Sequence, residues 1–123
     1  MQKSDYLTVA QTCENTVVVN KSRFITTLAP ITSYDDAITK MKEISKRYSD
    51  ATHNCYAFIS NETATEQRFS DDGEPQGTAG APMLEVLKKR KVYMTLAVVT
   101  RYFGGVKLGA NGLVSASSSS VSE

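Results

Sequence analysis

The chain has 123 residues, a formal net charge of +1 at pH 7, and a globular composition with 41% hydrophobic and 22% charged residues. This length fits one domain over residues 1–123, large enough to fold without disulfides or a structural metal. The chain has no apolar run of the roughly 18 residues that a membrane span needs, and nothing at its start resembles a signal peptide. The sequence therefore predicts a cytoplasmic protein with no membrane partner.

The first half of the chain predicts a β-hairpin followed by an amphipathic helix. Residues 16–19 and 23–28 are rich in β-branched side chains and are expected to form strands joined by a tight turn at 20–22. Ser33 is suited to cap a helix over 34–48, with two aspartates in the first turn, where carboxylates favour the helix dipole. The apolar positions of that helix recur at three- and four-residue spacing: Tyr34, Ala37, Ile38, Met41, Ile44 and Tyr48.

The second half predicts a strand at 53–59, a long polar loop over 60–80, and a short helix with Pro82 in its first turn. Residues 92–100 are continuously apolar at their centre, which indicates a central strand covered on both faces. A weak last helix is expected to begin near residue 111. The order β-β-α-β-α-β-α indicates an α/β two-layer sandwich.

Charge is distributed unevenly along the chain. Residues 62–85 contain six acidic side chains and one basic one, whereas residues 86–122 contain no acidic side chain. The latter range holds six cations: Lys88, Lys89, Arg90, Lys91, Arg101 and Lys107. This asymmetry can build a basic face that suits a polyanion. The alternative is that Lys88–Lys91 is simply the solvated end of a helix.

Residues 68–80 read RFSDDGEPQGTAG and contain the carboxylates Asp71, Asp72 and Glu74. Their spacing does not match a calcium loop, which needs carboxylates at alternate positions and a closing glutamate. Magnesium needs fewer carboxylates, and a general acid–base pair is also conceivable, so both hypotheses stay open. The structural alternative is an acidic turn, since aspartate, glycine and proline are strong turn formers.

Two glycine-rich segments lead into predicted helices. GTAGAP, which begins with Gly77 and Thr78, approaches a helix whose first amides are expected to be unpaired, a geometry that can bind an anion. RYFGGVKLGANG follows the predicted central strand and supplies charged and aromatic groups beside pliable backbone, as phosphate contact and base stacking require. Its candidates are Arg101, Tyr102, Phe103, Gly104, Gly105 and Lys107. The alternative is that its aromatic residues are core residues and its glycines are turn formers.

His53 is the single histidine, and with Cys55 it forms a His-x-Cys pair on one face of a predicted strand. A zinc site would need two more ligands, and a nucleophilic dyad would need an orienting group that the sequence does not indicate. We therefore expect His53 to be partly buried and bonded to loop carboxylates. Cys13 and Cys55 are expected to be reduced and buried. No catalytic, cofactor or metal residue is assigned.

Four segments together resemble the YigZ/Impact family: KSRF (21–24), THNCYAF (52–58), FSDDGEPQGTAGAPMLEVL (69–87) and VVTRYFGGVKLGANGL (98–113). The resemblance covers nearly the whole chain. It implies the left-handed β-α-β fold of the second domain of the fifth small-subunit ribosomal protein, which elongation factor G and some small-molecule kinases share. It also implies a cytosolic protein. Bacterial members carry a second, ferredoxin-like domain, so the chain is expected to be a truncated piece.

Eukaryotic members of the family are similar to a translational regulator that relieves inhibition by an initiation-factor kinase. The resemblance therefore implies a binding module that contacts RNA, the ribosome or a translation-associated protein. In that hypothesis Arg101 and Lys107 contact phosphate, while Tyr102 and Phe103 stack or shape the site. The carboxylates would hold the long loop by pairing with Arg101 or His53. The alternative is a Mg-assisted phosphoryl-transfer or hydrolytic enzyme that uses the acidic and glycine-rich loops.

Overall fold

The computed structural model describes residues 11–19, 21–63, 65–72 and 79–103, which contain five strands and two helices. The strands form one antiparallel sheet in the spatial order β1-β2-β5-β3-β4. The strands are β1 (Cys13–Val19), β2 (Ser22–Pro30), β3 (His53–Ile59), β4 (Gln67–Ser70) and β5 (Thr95–Tyr102). The helices are α1 (Tyr34–Arg47) and α2 (Gly80–Lys89).

β5 is the central strand, because it pairs with β2 on one side and β3 on the other. β2 and β3 therefore run in the same direction, and α1 makes the crossover between them. Every residue of β5 from Thr95 to Arg101 is buried. A strand that is buried along its whole length needs cover on both faces of the sheet, as its continuous apolar run predicts.

The two helices provide that cover on opposite faces. Alternate residues of β3 point to opposite faces, and one set, including Cys55 and Ala57, packs in a core with α2. The other set, Tyr56 and Phe58, packs in a second core that includes Ala37 of α1. The predicted α/β class is confirmed. The helices of the described part do not share one face, as two layers would require, because β3 and β5 are apolar on both sides.

Most of the predicted elements are present. The hairpin and α1 are confirmed, with Ser33 Oγ accepting a hydrogen bond from the Asp36 amide at 3.0 Å. The strand predicted at 53–59 matches β3, and the helix that follows the polar stretch is α2. The prediction of an unbroken loop over 60–80 is wrong, because β4 forms within it as an exposed edge strand. The helix predicted near residue 111 lies outside the described residues.

The two cysteines differ in their surroundings. Cys55 is buried on the α2 side of the sheet, as predicted. The prediction of burial is wrong for Cys13, which is exposed at the start of edge strand β1. The physical reason is that no described helix covers β1, so its side chains face solvent along most of its length.

Candidate functional site

One end of the sheet brings together the start of β3, the end of β4, the start of α2 and the end of β5. His53 and Arg101 are directly opposite each other on β3 and β5. Phe24 of β2, the other cross-strand partner of Arg101, belongs to the core beneath α2. Because cross-strand partners project to the same face, His53 and Arg101 both lie on the α2 side of the sheet.

The acidic turn after β4, which contains Asp71 and Asp72, forms three hydrogen bonds with the start of β3. His53 Nδ1 lies 2.6 Å from the Asp72 carbonyl oxygen, and the Asn54 amide donates to Asp72 Oδ2 at 2.7 Å. Cys55 Sγ donates to the Asp71 carbonyl at 3.1 Å. The contact between His53 and the turn thus uses a backbone carbonyl, whereas the sequence suggested a side-chain carboxylate.

The carboxylate of Asp71 occupies the start of α2. Its Oδ1 accepts hydrogen bonds from the amides of Ala79 at 3.1 Å and Gly80 at 2.8 Å. The prediction that the amides at this helix start are unpaired anion donors is therefore wrong for these two residues. A carboxylate from the same chain already supplies the negative charge that a helix N-terminus favours.

Gly80 allows α2 to start directly against the end of β4. A Cβ atom at Gly80 would lie 2.7 Å from the carbonyl oxygen of Ser70 and 2.9 Å from a ring carbon of Phe69. A Cβ atom does not approach another heavy atom this closely, so a larger residue would push the helix away from the strand. The glycine is therefore required by the close approach of backbone, with no ligand needed to explain it.

Arg101 and Phe103 form a cation–aromatic pair at the end of β5. The Arg101 guanidinium carbon lies 5.7 Å from the centroid of the Phe103 ring. Arg101 is only 8% exposed, whereas Phe103 is 46% exposed. The Phe103 amide donates to Thr52 Oγ1 at 3.0 Å, and the Thr52 amide donates to the Arg101 carbonyl at 2.9 Å. The backbone is thus anchored while the phenyl ring faces outward.

Tyr102 lies on the opposite face of the sheet, because neighbouring strand residues alternate in direction. Its hydroxyl donates to Asp50 Oδ1 at 2.9 Å, and this hydrogen bond raises the pKa of Tyr102. The guanidinium carbon of Arg23 lies 4.6 Å from the Tyr102 ring centroid. Tyr102 therefore does not share a surface with Arg101 and Phe103, although the three residues are adjacent in sequence.

Five of the predicted site residues come together at this end of the α2 side: His53, Asp71, Asp72, Arg101 and Phe103. Six others lie outside the described residues, and their roles stay predictions: Glu74, Gly77, Thr78, Gly104, Gly105 and Lys107. Asn54, which the sequence reading missed, accepts a hydrogen bond from Thr100 Oγ1 at 2.7 Å and donates to the Tyr48 carbonyl at 3.0 Å. The available signal was a second polar side chain, next to His53, at the start of a strand that is otherwise apolar.

The hydrogen bonds of the turn bear on the hypothesis of a metal-assisted enzyme. Asp71 Oδ1 already accepts two amides, and Asp72 Oδ2 accepts one. In the part of the chain that the structure describes, no group of three or more His, Cys, Asp or Glu side chains is arranged to hold a metal ion.

Neither α1 nor α2 has the length and apolar character needed to cross a membrane.

The basic residues of the second half do not form one continuous face within the described residues. Lys88–Lys91 lies at the carboxyl end of α2, whereas Arg101 lies near the amino end of that helix. A helix of ten residues is about 15 Å long, so the two groups of cations are well separated. Arg101 and Lys88–Lys91 must therefore be considered as separate sites.

The Impact N-terminal domain family model matches residues 20–123. The IMPACT family member YvyE of Bacillus subtilis (strain 168) is 52% identical over 118 residues, which are 96% of this chain and 54% of YvyE. The IMPACT family member YigZ of Escherichia coli (strain K12) is 44% identical over 100 residues, which are 80% of this chain and 49% of YigZ. The chain spans about half the length of these curated relatives.

Two solved structures have the same fold. The crystal structure of a hypothetical protein superposes with a TM-score of 0.89 at 39% identity, covering 95% of this chain and 58% of that protein. The two-domain translational regulator Yih1 superposes with a TM-score of 0.61 at 23% identity, covering 99% of this chain and 51% of Yih1. These superpositions confirm the fold expected from the sequence motifs.

Proposed function

Because this chain belongs to the Impact N-terminal domain family, we propose that it is a binding module of a translation-linked protein and that the end of β5 contacts RNA. The link to translation is supported by the shared fold of Yih1, which is described as a translational regulator. A shared fold does not define a ligand, so the choice of RNA depends on the chemistry of the site.

The observation that carries the proposal is the exposed ring of Phe103 beside a guanidinium at the anchored end of a central strand. Aromatic side chains on a rigid element are the stacking platforms with which proteins bind single-stranded nucleic acid. An exposed phenyl ring is costly in water and gains by stacking against a base. Phe103 is therefore the residue that we expect to contact the ligand directly.

The burial of Arg101 gives it a different role from the one its charge suggests. With 8% of its surface exposed, its guanidinium has little area to offer a phosphate. It lies against Phe103 and opposite His53, so it is placed to hold the aromatic ring in position and to give this end of the sheet a positive potential. In the proposal, Phe103 stacks and Arg101 supports it.

A fluorescence-anisotropy titration with a labelled single-stranded RNA tests this proposal. Replacing Phe103 by alanine is expected to weaken binding by about 1–3 kcal/mol, the range measured for stacking of one base on one aromatic side chain. The salt dependence of binding should be unchanged, because no phosphate contact is lost. Circular dichroism of the variant checks that the fold is retained.

Phe69 provides the matched control, since it is also a phenylalanine on a strand of this sheet and is 44% exposed. The Phe69→Ala protein should bind RNA like the parent. An equal loss in both variants, or no RNA binding at low salt, would contradict the proposal. Co-purification of the chain with a translation factor, together with indifference to RNA, would instead favour a protein-docking role.

A further inference from the structure

The last turn of α2 and the two residues after it carry four consecutive cations, Lys88, Lys89, Arg90 and Lys91, and all four are exposed. We call this segment the basic turn. Its backbone is closed by hydrogen bonds from the Lys91 amide to the Lys88 carbonyl at 3.1 Å and from the Val92 amide to the Leu87 carbonyl at 2.8 Å. This pattern is the Schellman motif of helix ends. The cations are therefore fixed to a rigid backbone rather than to a loose tail.

Lys91 occupies the left-handed position of that motif, with a φ of 54°. Glycine is the residue favoured at this position, because it has no Cβ to clash with the neighbouring carbonyl. A lysine there has a conformational cost relative to glycine, and it adds a positive charge at this position.

The charge of the basic turn is barely compensated. Lys88 has a weak pairing with Glu85 at 3.8 Å, and the Glu85 side chain is 73% exposed. Lys89, Arg90 and Lys91 form no ion pair with any residue that the structure describes. The carboxyl end of a helix dipole is equivalent to about half a negative charge, far less than four cations. An anionic ligand would relieve the mutual repulsion of these side chains.

We propose that the basic turn is a second binding site, for the phosphate backbone of a nucleic acid, distinct from the aromatic site at Phe103. Its contribution to RNA recognition rests on the proposed function, but its attraction for linear polyphosphate does not. Several lysine and arginine side chains on one turn match a repeating anion with closely spaced charges. Among the residues that the structure describes, the exposed large apolar side chains are Val18, Phe69 and Phe103, none of which lies in the turn. A nucleic acid therefore fits better than a membrane, which favours an adjacent apolar anchor.

The two sites lie at opposite ends of the sheet. The basic turn precedes β5 and Phe103 follows it, so they are separated by roughly the length of that strand, about 26 Å for eight residues. At the stacked-helix spacing of about 3.4 Å per phosphate along one strand, roughly eight nucleotides span this distance. One longer RNA could contact both sites, with phosphates at the basic turn and a base on Phe103.

The test replaces Lys89 and Lys91 together by glutamine and measures binding to two probes at increasing salt: a single-stranded RNA of about 16 nucleotides and inorganic polyphosphate. The plot of log affinity against log salt concentration has a negative slope. Each lost phosphate contact should reduce the magnitude of that slope by about 0.7, so the double variant should reduce it by about 1.4 with RNA. Polyphosphate binding should also weaken. A double variant with Lys42→Gln and Lys46→Gln on α1 is the control, because it removes the same charge from exposed lysines of another helix.

An equal change in both double variants would overturn the inference, since the loss of net charge alone would explain it. An unchanged slope for the Lys89/Lys91 variant with both probes would also overturn it. Binding to phosphatidylserine vesicles that depends on Lys89 and Lys91, without binding to RNA or polyphosphate, would overturn it in favour of a membrane. If Phe103→Ala has no effect while the Lys89/Lys91 variant loses its slope, the aromatic site is wrong and the basic turn stands. If Phe103→Ala weakens binding while the Lys89/Lys91 variant keeps its salt dependence, the basic turn is wrong and the aromatic site stands.

Discussion

The two helices that the structure describes begin in different ways. α1 is capped by its own neighbours: Ser33 Oγ accepts from the Asp36 amide, and Asp36 Oδ2 accepts in return from the Thr32 amide at 2.9 Å. α2 begins after Ala79, whose side chain cannot cap, and receives instead the carboxylate of Asp71 from the preceding turn. The first helix start is therefore defined by local sequence, whereas the second depends on tertiary structure.

This difference shows how the acidic turn is used in the described structure. The turn fastens β3, the end of β4 and the start of α2 to one another, so none of these segments can shift alone. A motif that reads in sequence as a candidate metal or phosphate site thus has a structural role that accounts for Asp71 and Gly80. Substitutions at each helix start can measure how far the two differ in their contribution to stability.

Replacing Gly80 by alanine is expected to lower the free energy of unfolding by about 2 to 3 kcal/mol, because the added methyl group would meet the Ser70 carbonyl at 2.7 Å. Alanine normally stabilises a helix relative to glycine by about 1 kcal/mol, so the effect has the opposite sign from that expected of an isolated helix. Urea denaturation measures it. The control Ala81→Gly should destabilise by about 1 kcal/mol, and a stabilising Gly80→Ala would refute the close approach of α2 and β4.

Replacing Asp71 by alanine is expected to cost about 2 kcal/mol in urea denaturation, since the amides of Ala79 and Gly80 both lose their acceptor. The control is Asp35→Ala in the first turn of α1. That exposed carboxylate contributes mainly through the helix dipole, so the loss should be below about 1 kcal/mol. Equal losses in the two variants would show that Asp71 acts only through its charge.

The smallest effect concerns the pH dependence of α1. The hydrogen bond from the Thr32 amide lowers the pKa of Asp36 below its ordinary value of 3.8, and Lys40 at 3.4 Å lowers that pKa further. A carboxyl group whose pKa is lowered on folding stabilises the folded state fully at pH values above its ordinary pKa of 3.8. This stabilisation is lost as the pH falls through the lower pKa of the folded state. The Asp36→Asn protein should therefore lose less stability than the parent between about pH 5 and about pH 2.

Urea midpoints measured across that pH range check this prediction. Lys40→Gln is the graded control, because it removes the cation but keeps the backbone hydrogen bond, which is the main cause of the lowered pKa. Its pH dependence should lie between those of the parent and Asp36→Asn. If Lys40→Gln changed the pH dependence as much as Asp36→Asn, the ion pair rather than the Thr32 hydrogen bond would be responsible.

The elements with strong periodicity were predictable from sequence, and those defined by pairing were not. α1 has an apolar stripe and its own cap, and β5 has an apolar centre, so both were identified from local signals. β4 reads QRFS, is exposed and has no apolar alternation, so it becomes a strand only because β3 offers it an edge.

The candidate site shows the same division. The sequence identified the segments around Asp71 and Arg101 and placed His53 on a strand. It could not show that His53 lies opposite Arg101, because that pairing depends on the register of two strands distant in sequence. It grouped Tyr102 with Phe103, and only the strand geometry of β5 separates them onto opposite faces. The use of Asp71 as a cap for α2 likewise needs the tertiary position of the turn.

The central position of β5 has a consequence for the order in which the protein can fold during its synthesis. The hairpin of β1 with β2 and the hairpin of β3 with β4 share no strand pairing, and β5 joins them. A nascent chain that ends before Thr95 thus has two separate two-stranded ribbons, which are marginal on their own in water. The sheet becomes continuous only after β5 leaves the ribosome. Until then, the apolar faces of the earlier strands are incompletely covered.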